Sequence, residues 1–160
     1  MLVLPKAIDL LKENRIMKIL MSTMMCILMA ISVYAQDGTT NYFTNSEEAK
    51  AYAEANDAEI LMVFGGSDWC RPCIKFKKEI LDDLEFQSYT DRKVAILYLD
   101  FPSKKKNRLS KEATQHNEAL AAKYNTSGSF PKVILMDKAM NKIKEILYEG
   151  QSATDFITQL

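Results

Sequence analysis

The sequence predicts an α/β fold in which a central mixed β-sheet is flanked by helices on both faces. Three observations lead there. Short apolar runs at Ile60–Phe64, Val94–Leu99 and Val133–Met136 have the length and composition of buried strands. A helical pattern separates the first run from the second, and another separates the second from the third, so these strands need helical crossovers. A further run, Lys142–Tyr148, follows the third after only the turn-like Asp137–Asn141, which makes the last two a hairpin.

In chain order, the first 35 residues stand apart. Ile19–Val33 is uncharged and almost wholly apolar, Lys18 precedes it, and Val33-Tyr34-Ala35 ends it on a small residue. A basic start, an apolar stretch and a small-residue exit are the parts of a secretory signal peptide, whereas a spanning helix wants about 20 apolar residues. The expectation is a signal peptide over 1–35 and a mature chain from Gln36. Met17 is a possible functional start, which would make Met1–Ile16 an upstream mis-start or a long n-region. An uncut membrane anchor is the other reading. Cys26 lies inside the apolar stretch without the small residues that precede a lipidated cysteine. Residues 36–44 read as a leader, with an extra strand possible at Thr40–Thr44, and 45–160 as one domain.

Within that domain Asn45-Ser46-Glu47-Glu48 offers a capping side chain and first-turn acids, and Ala49–Ala55 continues the helix. The Ile60–Phe64 strand runs out at Gly65-Gly66-Ser67-Asp68. A helix then follows, with Ile74, Phe76, Ile80, Leu81 and Leu84 apolar among Lys75, Lys77, Lys78 and Glu79, which places Cys70 and Cys73 at its first turn. After Val94–Leu99 comes a basic loop, Phe101–Leu109, and a helix over Ser110–Tyr124 with Ala113, Leu120 and Ala121 for its inner face. Gly128-Ser129-Phe130-Pro131 breaks the chain before the third strand. Gly150 and Ser152 introduce a last helix, Ala153–Leu160.

Composition narrows the function. Lysine plus arginine equal aspartate plus glutamate at 21 each, so no overall field would hold the protein on nucleic acid. If Cys26 leaves with the signal, Cys70 and Cys73 alone remain of the three cysteines. A bridge across two intervening residues closes almost no loop and so stabilises little, which makes chemistry the better explanation of the pair. At a helix start, unpaired N–H groups and the positive helix end stabilise a thiolate, and can bring its pKa from about 8.5 to about 7 or below. Cys70, the earlier residue, is expected to attack, and Cys73, one turn on, to resolve the mixed disulfide. Trp69, Arg71 and Pro72 are expected to tune the pair. Arg71 places a positive charge beside the thiolate, and Pro72 suits a first turn because its missing N–H has no partner to lose. A lower thiol pKa also makes the disulfide more oxidising, so these features leave the direction of electron flow open. Half of a zinc site is the competing reading, but a structural site takes four ligands, and His116 is the one histidine in the chain. No metal or other cofactor is expected, and His116 reads as a solvated surface residue.

Trp69-Cys70-Arg71-Pro72-Cys73 after an apolar strand, with Ser129-Phe130-Pro131 before a later one, resembles the thioredoxin superfamily across Asn45–Leu160. The glycine-rich approach and the long Phe101–Leu109 loop are closer to exported thioredoxin-fold proteins of Bacteroidetes-type bacteria. The resemblance implies a thioredoxin-like fold, with Pro131 as a cis-proline against the redox pair. It also implies that Trp69, Phe130 and Pro131 bind substrate, the backbone at Phe130 pairing with an extended client peptide. Two departures are visible. Phe130 is bulky where thioredoxins proper often carry threonine or isoleucine, and Ile60–Phe64 lacks the buried acid that assists proton transfer in that family. Asp68 lies nearer the cysteines, but in a loop, and reads as a solvated or helix-capping carboxylate. Lys104, Lys105 and Lys106 with Arg108 and Lys111 form a basic cluster; a short charge run reads first as a solvated loop, and otherwise as a dock for an acidic partner or membrane headgroups.

The resulting expectation is a periplasmic thiol–disulfide oxidoreductase acting on exported proteins. An exported reductant must itself be re-reduced, so a membrane thiol-relay protein is the implied partner. The alternative is a peptide-binding or chaperone module that keeps the fold with little redox turnover.

Overall fold

The computed structural model describes residues 41–160. The expected signal peptide, with Met17 and Cys26, and the expected mature start at Gln36 lie outside the described residues. Among the described residues no helix is long and apolar enough to cross a membrane.

Five strands form one mixed sheet in the order β1-β3-β2-β4-β5. They are β1 (Tyr42–Phe43), β2 (Glu59–Gly65), β3 (Val94–Asp100), β4 (Lys132–Met136) and β5 (Lys142–Ile146). β3 runs parallel to both β1 and β2, while β4 is antiparallel to β2 and β5 antiparallel to β4. β1 falls within the stretch expected to hold an extra strand. Asn41 secures it: its carbonyl accepts from Ile96 N–H at 2.6 Å, and its amide donates to Thr90 and to the Val94 carbonyl.

Strand side chains alternate between faces, so each buried strand feeds two cores. Leu61 and Val63 of β2 join Ile96, Val133 and Leu135 on one face, beneath Phe76, Ile80, Leu81, Phe86 and Phe156. Ile60, Met62 and Phe64 join Leu97, Leu99 and Ile134 on the other, beneath Ala49, Tyr52 and Ala53. The unbroken apolar composition of β2 and β3 follows from this double burial. Each fully buried Leu, Ile, Val or Phe contributes about 1.5–3 kcal/mol by leaving water.

The helices supply the covering layers. α1 (Ser46–Asn56) is capped by Asn45, whose Oδ1 accepts from Glu47 N–H at 2.8 Å. α4 (Lys111–Tyr124) is capped by Ser110 and packs Leu120, Ala121 and Tyr124 against the same core as α1. α5 (Ala153–Ile157) is capped by Ser152 and is shorter than the expected Ala153–Leu160.

Two further expectations change. The single helix running to Leu84 is divided: α2 (Arg71–Phe76) passes into a π-helical turn, Lys77–Leu81, and a separate α3 (Leu84–Thr90) follows. Asp83 starts α3 by accepting from Glu85 N–H and Phe86 N–H. The restart turns Phe86 into the core and leaves Leu84 80% exposed. His116 is not a solvated residue. It is half-buried on α4, where Nε2 accepts from Ser46 N–H at 3.1 Å, which leaves Nδ1 to donate to Asn117 Oδ1 at 3.0 Å. It therefore ties the start of α1 to α4.

Candidate active site

β2 ends at Gly65, and the next four residues turn the chain into α2 at the end of the sheet. Cys70 N–H closes this turn onto the Gly66 carbonyl at 3.1 Å. Cys70 is the N-cap residue of α2, with extended backbone, and its Sγ accepts from Cys73 N–H at 3.2 Å. Sulfur thus occupies the place where a capping oxygen ordinarily satisfies an orphan helix N–H. Arg71 and Pro72 open the helix, and no acid stands in its first turn to offset the positive end.

Cys70 and Cys73 are joined by a disulfide with their Cα atoms 5.2 Å apart. Both are buried, Cys70 at 5% exposure and Cys73 at 1%, so Cys70 is the sulfur-bearing residue that solvent reaches more readily.

An aromatic wall stands beside the pair. Trp69 is 48% exposed, and its ring meets Phe130 edge-on at 5.4 Å between centroids. Phe130 in turn meets Phe101 at 5.4 Å. The Trp69 indole N–H donates to the Phe101 carbonyl at 2.7 Å, which fixes the ring orientation. Gly66 makes room for it, since a Cβ there would lie 2.5 Å from the indole. The Phe130–Pro131 peptide bond is cis. Of the residues expected around the cysteines, Trp69 and Phe130 are therefore brought into contact across 61 positions of sequence. Arg71 and Pro72 line a separate hollow of about 430 Å³ with Lys75, Tyr148, Glu149 and Gly150.

Sequence reasoning missed how the approach loop is held. Asp100, at the end of β3, accepts from Ser67 N–H at 2.8 Å and from Ser67 Oγ at 2.6 Å. Asp68 accepts from Ser103 N–H at 2.9 Å, Lys104 N–H at 3.0 Å and Asn107 Nδ2 at 2.8 Å. Asp68 is thus neither a helix cap nor a purely solvated carboxylate; it organises the 103–107 loop. These bonds, the one from Ser103 N–H foremost, hold its pKa down at about 2. No local signal could have found it, because its partners lie 35 to 39 residues away.

The arrangement can carry reversible sulfur chemistry. It offers a cysteine pair at a helix start, the outer cysteine more accessible, a helix N–H aimed at its sulfur, and an aromatic flank whose Trp69 is half-exposed. Comparison with known proteins agrees. The model of the thioredoxin-like domain matches residues 46–160. A disulfide bond reductase of Chlamydia pneumoniae, DsbH, is 28% identical over 113 residues, covering 71% of this chain and 66% of DsbH. The thioredoxin-related protein DsbJ of the same organism is 30% identical over 101 residues, or 62% of this chain and 28% of DsbJ. The match thus spans just under two thirds of one relative and less than a third of the other. Among solved structures, DsbH oxidoreductase superposes with a TM-score of 0.65 at 27% identity, covering 72% of this chain and 78% of that one. A thioredoxin from Thermus thermophilus, at 15% identity and a TM-score of 0.54 over 74% of this chain and 82% of its own, shares the fold. With the family model covering all of the chain from α1 onward, the protein belongs to the thioredoxin-like domain family.

Proposed function

We propose that the chain is a thiol–disulfide oxidoreductase of exported proteins, with Cys70 as the attacking sulfur and Cys73 as the resolving one. The observation that carries this reading is the bond from Cys73 N–H to Cys70 Sγ at the first turn of α2. In the dithiol form the same N–H and the helix end favour the thiolate on Cys70.

In the reductive direction, Cys70 thiolate attacks one sulfur of a client disulfide. The client's S–S bond breaks, and its leaving thiolate takes up a proton. Cys73 then loses its proton and attacks Cys70 Sγ. The mixed disulfide breaks, the second client thiol leaves, and the Cys70–Cys73 bridge forms. Two electrons pass from the dithiol to the client disulfide, and the oxidative direction is the reverse. Arg71 adds a positive charge beside the developing thiolate, and Pro72 holds the first turn without forfeiting a hydrogen bond.

The named activity of DsbH supports this class of reaction. The apolar Ile19–Val33 segment supports export, most simply to a periplasm. Re-reduction there calls for a membrane thiol-relay protein, because that compartment is kept oxidising. Trp69, Phe130 and Pro131 are the residues proposed to receive the client backbone.

Catalysed reduction of insulin by dithiothreitol tests the reading. The protein is expected to accelerate precipitation of the insulin B chain, and a Cys70→Ser, Cys73→Ser double variant to give only the dithiothreitol rate. No acceleration by the unaltered protein would leave a peptide-holding module as the better account.

A further inference from the structure

The cations of this chain are unevenly paired. Lys50, Lys75, Lys77, Lys132, Lys138 and Lys142 each have a carboxylate within 4.0 Å. Lys104, Lys105, Lys106 and Arg108, four cations within five positions, form no ion pair with any described residue. Arg71, Lys78, Arg92, Lys93, Lys111, Lys123 and Lys144 form none either, so it is the density of the run that sets it apart, and its four cations are exposed.

This basic run is tethered to the two residues that precede Cys70. Asp68, two residues before Cys70, receives N–H groups from Ser103 and Lys104 and the Asn107 amide, and a 3₁₀ turn, Lys105–Asn107, forms between them. One residue on, Trp69 holds the Phe101 carbonyl at 2.7 Å. Like charges repel, and an untethered loop would spread them into solvent. Here hydrogen bonds on either side of Pro102 keep them beside the residues that lead into Cys70. The carboxylate at the centre is already engaged by those hydrogen-bond donors.

We infer that the 104–108 loop forms a docking surface for an acidic polypeptide segment next to the partner's reacting cysteine. The inference rests on the oxidoreductase reading of Cys70 and names the class of partner that the pair serves best. A residue three to five positions from the partner's cysteine lies about 10–18 Å along an extended chain, a reach suited to a loop tied two residues upstream of Cys70. Aspartates or glutamates there would meet the lysines while the partner's sulfur meets Cys70 and its apolar neighbours meet Trp69. A flat anionic membrane would meet the same lysines but would present no sulfur to the pair.

Three disulfide-bonded peptides test this, alike except for Asp/Glu, Ser or Lys at three to five positions from one cysteine. The protein is first reduced and freed of reductant, so that each peptide disulfide is the oxidant and takes two electrons from Cys70/Cys73. Second-order rate constants are read from Trp69 fluorescence at low and high salt. At about 20 mM salt the acidic peptide is expected to react roughly tenfold or more faster than the Ser peptide, with the Lys peptide slowest. At about 0.5 M salt the three are expected to converge, because screening shortens the reach of the lysine charges. Lys104→Glu, Lys105→Glu, Lys106→Glu in one variant is expected to reverse the order of the acidic and Lys peptides. Equal rates for all three peptides, with the Ser peptide still reduced, would overturn the docking surface and leave the oxidoreductase reading in place. No reaction with any peptide would overturn that reading itself. Salt-sensitive binding to vesicles of anionic phospholipid without peptide discrimination would assign the loop to lipid and reject the inference.

Discussion

Trp69 and Phe101 are joined by a hydrogen bond of 2.7 Å from the indole N–H to the backbone carbonyl. The bond links the residue before Cys70 to the strand end that begins the basic loop, so the redox turn and the loop form one unit. Trp69→Phe keeps an aromatic ring but removes the donor. A net loss of about 0.5–1.5 kcal/mol is expected, since water replaces the partner at this half-exposed site. Urea unfolding gives the stability, and hydrogen exchange should quicken across residues 103–107. Unchanged exchange there would show that Asp68 alone holds the loop.

The two cysteines should behave unequally when mutated singly. Cys73→Ser leaves Cys70 able to attack with nothing to resolve the product, so client proteins should accumulate as mixed disulfides on Cys70. Cys70→Ser removes the more exposed sulfur and should trap little, and both variants should lose turnover. Non-reducing electrophoresis with mass spectrometry of the adducts distinguishes them. Equal trapping through Cys73 would contradict the assigned roles.

Asp68 gives the loop a defined acid response. Its folded pKa, about 2, lies below the ordinary carboxylate value of 3.8, so the unfolded chain takes up this proton first as pH falls. The stabilisation it brings is fully present above the unfolded value and is lost as pH falls through the folded one. Asp68→Asn should therefore be less stable than the unaltered protein at pH 7, with the difference shrinking from about pH 5 down to about pH 2. Urea midpoints of both proteins across that range provide the check. A difference independent of pH would mean that shape rather than charge is what the carboxylate contributes.

Phe156 carries the packing beneath the redox helix. It is fully buried, with ring centroids 5.3 Å from Phe76 and 5.9 Å from Phe86. Phe156→Ala should destabilise the fold by about 3–5 kcal/mol, the usual cost of a large cavity in a close-packed core. The urea midpoint should fall without a large change in slope. A loss under 1 kcal/mol would indicate that α5 simply closes over the gap.

The sheet was legible because β2, β3 and β4 are buried on both faces, and such strands are written as unbroken apolar runs bounded by turn residues. Cys70 and Cys73 were legible for a related reason: a capping residue, a first-turn proline and the helix that follows are all local. The α2–α3 break was not, because Ile80, Leu81 and Leu84 keep helical spacing through Asp82 and Asp83. Only the capping bonds of Asp83 reveal that a new helix begins and that Phe86, not Leu84, faces inward. Asp68, Asp100 and His116 escaped because their partners lie 33 to 70 residues away, a distance over which one sequence carries no pairing signal.

The central claim is that Cys70 and Cys73 form a working redox centre, and an equilibrium redox titration reads it most directly. Trp69 is the sole tryptophan, so its fluorescence reports the state of the adjacent pair. The protein should pass reversibly between disulfide and dithiol in a single two-electron transition, at a potential between about −120 and −270 mV, the span of disulfide-exchange proteins of this kind. The Cys70→Ser variant should show no transition. A bridge that stays closed below about −300 mV, as structural disulfides do, would contradict the account.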